Sequence, residues 1–128
     1  MAVIRSVLEY AAPVWHHSLN KSQADKLEAI QKRAINIIYP ITYKTPYDFA
    51  LHIAELDTLV KRREQLSREF FNSLTDPTSC LHMLLPAPRD STTIVTRLRA
   101  AAKYPRLPSR TRKYQSFLSY ALSHYQNQ

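Results

Sequence analysis

The chain has 128 residues, 45% hydrophobic and 22% charged, enough to bury one modest core and too few for a second independent one. It contains no glycine, against a usual share of roughly 7%, so Gly-rich phosphate loops, glycine-dependent hairpin turns and the nucleophile elbow are excluded together. The formal charge of +8 is uneven: residues 1 to 88 carry 10 Lys/Arg against 9 Asp/Glu, whereas residues 89 to 128 carry 8 against Asp90 alone.

In chain order, Val3, Ile4, Val7, Leu8 and Ala11 recur at helical spacing until Pro13 removes an amide donor. Ser22, followed three residues later by Asp25, resembles a capping box. Behind it Leu27, Ile30, Ala34, Ile37 and Ile38 form an apolar stripe that ends at Pro40. Thr45 is the expected cap of a short helix with Pro46 at its first position and Phe49, Ala50 and Ile53 inward. A longer helix follows, with Asp57 as cap, a stripe of Leu59, Val60, Leu66, Phe70, Phe71 and Leu74, an exposed Glu64/Arg68 pair, and a stop at Asp76-Pro77.

Residues 80 to 85 read as an apolar turn or short helix. From 86 to 113, prolines 86, 88, 105 and 108 mix with Ser, Thr and Arg, which predicts a mostly irregular connector with one helical stretch around Ile94 to Tyr104. Tyr114, Phe117, Leu118, Ala121, Leu122 and Tyr125 then repeat with the period of an amphipathic closing helix, too short to be stable without a partner surface. The expected fold is all-α: a helical bundle of three to four helices over 1–85, a basic connector over 86–113, and a C-terminal helix over 114–128.

Cys80 is the single cysteine and has no zinc-type spacing with His82, so it reads as a reduced, structural thiol and no metal or cofactor is expected. Arg5 and Glu9 interrupt the apolar start, which argues against a signal peptide, and no apolar run approaches membrane-spanning length. The expected location is intracellular, cytoplasmic or nuclear, with no membrane partner.

Four strings occur in order: IRSVLEYAAPVWHHSL from residue 4, LEAIQKRAINIIYP from 27, TLVKRREQLSREFF from 58 and KYQSFLSYAL from 113. Together they resemble the C-terminal region, at and beyond the thumb, of jockey-like non-LTR (LINE-type) retrotransposon reverse transcriptases. The likeness runs from about Val3 to Tyr125. Ser6 departs from it, because many relatives carry proline after the arginine. The resemblance implies a helical element that steadies the polymerase and its template-primer duplex. It places the catalytic palm, with its paired metal-binding aspartates, upstream of this stretch, so the chain is not expected to be an enzyme or to take a small-molecule substrate. An open reading frame beginning inside this pattern has the look of a genomic remnant.

Among candidate site residues, Trp15 reads as a core anchor rather than a base-stacking platform. His16 and His17 are adjacent with no third ligand near in sequence, which disfavours a metal. Arg63 falls on the apolar stripe and is expected to be a buried structural ion with its head paired to a carboxylate, unlike Arg62. Lys32 and Arg33 suit a solvated helix face. Glu9, Asp48, Asp57 and the histidines fit no acid/base motif.

Arg97, Arg99, Lys103, Arg106, Arg110, Arg112 and Lys113, interleaved with Tyr104 and Tyr114, suit phosphate neutralisation with some stacking on RNA or DNA, without sequence preference. A solvated basic tail accounts for the same charges equally well. The alternative to nucleic-acid binding is a structural remnant whose uncovered apolar faces drive self-association.

Overall fold

The computed structural model describes residues 2–89, 102–112 and 115–126. Among them are six α-helices and no strand: α1 (Ala2–Glu9), α2 (Ala12–Trp15), α3 (Lys21–Ile38), α4 (Tyr47–Ile53), α5 (Leu59–Thr75) and α6 (Phe117–His124). The all-α expectation is therefore met. The expected helical stretch around Ile94 to Tyr104 lies largely outside the described residues, as do Arg97, Arg99, Lys113 and Tyr114.

The chain divides into two compact units, Met1–Leu66 and Ser67–Gln128, with the division inside α5. Each has its own apolar cluster, where composition had suggested one. In the first, Ile35, Ala50 and Leu51 are buried and Tyr47, Ala54 and Leu56 pack on them. In the second, Phe71, Tyr104, Ala121, Leu122 and Tyr125 are buried, with Leu85, Phe117 and Tyr120 against them.

With no glycine available, tight turns fall to other residues: Ala11, Lys44 and Glu55 hold positive φ of 49°, 68° and 52°. Ala11 sits at the break between α1 and α2, so the first helix ends before Pro13, which starts α2 in its first turn. Glu55 ends α4: its N–H donates to His52 O at 3.2 Å, and that of Leu56 to Leu51 O at 3.0 Å, the paired bonds of a Schellman turn.

The caps differ from those the sequence suggested. Helix α3 is capped by Asn20, whose side chain accepts from Gln23 N–H at 2.8 Å while Gln23 Oε1 accepts from Asn20 N–H at 3.0 Å, so Ser22 is already helical. Thr45 donates its hydroxyl to Thr42 O at 2.7 Å and caps nothing; Pro46 precedes α4. Thr58 Oγ1 accepts from Lys61 N–H at 3.2 Å at the start of α5, and Asp57 pairs instead with Lys61 Nζ at 2.7 Å. That ion pair holds the Asp57 carboxyl below its usual range.

The buried side of α3 is Gln31, Ala34 and Ile35, not the Ile30/Ile37 edge, because polar pairing fixes its rotation. Gln31 Nε2 donates to Tyr47 Oη at 3.0 Å and to Asp57 O at 3.2 Å. Tyr47 Oη donates to Glu28 Oε2 at 2.6 Å, and Glu28 Oε1 accepts from Val60 N–H at 2.8 Å. One carboxylate thus ties α3 to α4 and serves the N-terminus of α5. Burial and then Glu28 push the Tyr47 phenol well above its usual range. The inner positions of α4 are Ala50 and Leu51, while Phe49 is exposed.

Along α5 the buried positions are Leu59, Arg63, Ser67, Phe71 and Leu74, a 4-4-4-3 spacing that replaces Val60 with the arginine expected on the stripe. The helix stops at Thr75, before Asp76-Pro77, as its sequence indicates. Helix α6 starts at Phe117, capped by Ser116, which accepts from Ser119 N–H at 3.3 Å. Cys80 is exposed rather than structural.

Candidate nucleic-acid interface

The basic connector is held to the second unit at Tyr104. Its ring is buried in the apolar cluster, and Gln126 brackets its backbone, accepting from Tyr104 N–H at 2.7 Å and donating to Tyr104 O at 3.2 Å. Lys103 O accepts from Arg89 N–H at 2.8 Å, a second tie one residue earlier. Residues 105 to 109 then run without regular structure, with φ fixed at Pro105 and Pro108.

Lys103, Arg106, Arg110 and Arg112 are all exposed on this segment, and no acidic residue occurs among residues 102 to 112. Tyr104 is not the surface stacking platform its place among the basic residues suggested: at 4% exposure its ring is an anchor, with Lys103 Nζ 5.4 Å from the ring centroid. Beside it, Phe71, Thr75, Tyr104, Tyr125 and Gln126 line a recess of about 270 Å³ with Lys103 at its edge. The exposed side chains of this segment can offer cations to a phosphate backbone, which favours contact with charge over readout of base edges.

No family model, no curated protein and no solved structure matches the chain.

The remaining candidates separate cleanly. Trp15 is partly buried, with its indole N–H donating to Tyr10 O at 2.8 Å, and its ring faces the Arg63 guanidinium 5.6 Å away. His16 Nε2 meets Glu64 Oε2 at 2.9 Å. Among the described residues no group of three or more His, Cys, Asp or Glu is placed to hold a metal ion. Lys32 and Arg33 are exposed on α3, and Arg33 borders an apolar recess with Ile4, Ile30, Ile37 and Ile38.

Arg63 is buried as expected, at 1% exposure, but its head is not paired: no carboxylate among the described residues lies within ion-pair distance. Burial lowers its pKa, opposed by the fields of Glu28 and Glu9. The nearby carboxylates are occupied elsewhere. Glu9 is held by Arg5 at 2.8 Å and Arg62 at 3.3 Å, and Glu28 by Tyr47 and Val60. Sequence spacing gave the burial of Arg63; of the carboxylate contacts, Arg5 with Glu9 is a local i,i+4 pair, whereas Arg62 with Glu9 spans 53 residues and Tyr47 and Val60 reach Glu28 across 19 and 32, with no local signal.

Proposed function

We propose that this chain is a non-catalytic helical element of retrotransposon polymerase origin that binds RNA or DNA without sequence preference, in the cytoplasm or nucleus. The resemblance of four strings to the C-terminal region of non-LTR reverse transcriptases supports the origin. The observation that carries the binding is the exposure of Lys103, Arg106, Arg110 and Arg112 on one irregular, acid-free segment. Arg97, Arg99 and Lys113 extend the same run in the sequence.

Reversing charge at Arg106, Arg110, Arg112 and Lys113 to Glu tests this. Binding to a labelled single-stranded RNA should be lost while the far-ultraviolet circular dichroism stays that of the parent. Undiminished binding by the variant would remove the segment from the interface.

A second reading rests on apolar exposure in the first unit. Val3, Val7, Ile37 and Ile41 are 80%, 72%, 72% and 75% exposed, and Ile4, Ile30, Ile37 and Ile38 line one apolar recess of about 300 Å³. Self-association through this surface predicts a sedimentation-average mass that rises with concentration and falls back in an Ile37→Glu variant. A constant monomer mass would rule it out. Among the described residues no helix is long and apolar enough to cross a membrane.

A further inference from the structure

Helix α1 carries Val3, Ile4 and Val7 on one face yet buries none of its residues, and α3 leaves Ile30, Ile37 and Ile38 exposed. Two recesses lie between these helices. The larger, of about 540 Å³, is lined by Val7 and Leu8 of α1, by Lys26 and Leu27 of α3, and by Trp15. The smaller, of about 300 Å³, is lined by Ile4 of α1 and by Ile30, Arg33 and Ile37 of α3. Along α1 the lining runs from Ile4 to Leu8, while along α3 it runs from Ile38 back to Gln23. The two recesses are therefore successive stretches of one groove along an antiparallel helix pair. At the rise of an α-helix its α3 wall is about 22 Å long.

On α3, Gln23, Leu27, Ile30, Ala34 and Ile37 follow one another in alternating steps of four and three, the spacing of a coiled-coil seam. Lys26 and Arg33 each precede a core position of that seam and stand two turns apart, at the flanking positions whose charges select a partner. Among the described residues they are the only charged side chains lining either recess, and neither forms an ion pair. An apolar seam of this spacing, flanked by unpaired cations, is complementary to an amphipathic helix with carboxylates on its own flank. A second copy paired groove to groove brings the same two cations and no carboxylate, and a lipid surface is flat where this seam is recessed.

We propose that the groove between α1 and α3 docks an acidic amphipathic helix of a partner protein, whose carboxylates meet Lys26 and Arg33. The groove lies wholly in the first unit, apart from the basic segment at 103 to 112. It shares its isoleucine edge with the self-association reading but takes a different occupant, so sedimentation of the chain alone separates the two.

The probe is a peptide about three heptads long with leucine at a and d and glutamate at e and g, whose own charge repulsion keeps it monomeric and largely unfolded until docked. Trp15 is the only tryptophan and lines the groove, so its emission reports docking there and not on the basic segment. Titration of the full chain should give a saturable change in Trp15 emission and more helix by circular dichroism than the sum of the two components. The double variant Lys26→Glu/Arg33→Glu alters only exposed side chains. It should bind the acidic peptide at least about tenfold more weakly and take up the same peptide with lysine at e and g instead. That exchange of preference is a readout that a loss of folding would not give.

Equal affinity of the wild type for the acidic and basic peptides, or no saturable change with either, overturns the proposal. So does a sedimentation mass of the chain alone that rises with concentration, is restored to monomer by Ile30→Glu and is not reversed by the acidic peptide, which assigns the groove to a second copy. Phosphatidylserine vesicles that shift Trp15 emission where the peptide does not would assign it to a membrane surface and overturn it equally.

Discussion

Arg63 and Arg62 are neighbours with opposite physics. Arg62 reaches Glu9 at 3.3 Å on a partly exposed face, where an ion pair contributes about 0–1 kcal/mol. Arg63 fills a buried position of α5, and its three stem methylenes alone account for about 2 kcal/mol of burial. Removing the charge relieves an unfavourable burial, but truncation to Ala also removes the stem and opens a void beneath Trp15, and the void should dominate. Arg63→Ala is expected to lower Tm by roughly 5–10 °C, and Arg62→Ala by no more than about 3 °C, in thermal melts followed by circular dichroism. Equal, small losses from both would show that Arg63 is not a packing residue. Its burial was legible in the sequence because position 63 lies four residues from Leu59 and three from Leu66. Its lack of a carboxylate was not, since Glu9 and Glu28 come near it only through the fold, where Arg5, Arg62, Tyr47 and Val60 already engage them.

Helix existence and helix stops followed from apolar period and proline, as α3 ending before Pro40 and α5 before Asp76-Pro77 show. Caps and rotations did not follow. Ser22, Thr45 and Asp57 are all sound capping residues by type, but Asn20, Pro46 and Thr58 occupy the positions. The choice between candidates one or two residues apart is made by where the chain arrives from the preceding turn, which no local pattern encodes. For α3 the difference is measurable. Asn20→Ala should destabilise the protein by about 1 kcal/mol in urea unfolding, whereas Ser22→Ala should stay within about 0.5 kcal/mol. The reverse order would restore Ser22 as the cap. Rotation of α3 was likewise hidden, because hydrophobicity favours Ile30 and Ile37 inward and only the Gln31–Tyr47–Glu28 bonds turn Gln31 to the core. The consequence is the exposed isoleucine edge on which self-association would act.

At the scale of the whole chain, exposed apolar side chains occur in both units, Val3, Val7, Ile37 and Ile41 in Met1–Leu66 and Met83 and Leu84 in Ser67–Gln128, whereas the acid-free basic segment belongs to Ser67–Gln128 alone. Composition gave this charge asymmetry directly, and the all-α class followed from period and the absence of alternating strands. Two clusters instead of one core were not legible, because α5 reads as one continuous amphipathic helix, whereas its Phe71 joins the second cluster and the first is built from α3, α4 and the turn after α4. Among the basic residues the cations were legible and the anchor was not: Tyr104 looks like a surface aromatic, but Gln126, 22 residues on, brackets its backbone.

The central claim is that the segment around 103 to 112 neutralises phosphates. Its most direct test is fluorescence anisotropy of the whole chain with labelled single-stranded RNA, duplex DNA and an RNA/DNA hybrid, titrated across salt. If about six phosphates are engaged, affinity should fall about a thousandfold between roughly 50 and 200 mM salt on the duplex probes and a few hundredfold on the single-stranded RNA, with no dependence on base sequence. Affinity that is flat with salt, or absent at the lowest salt, would contradict the claim.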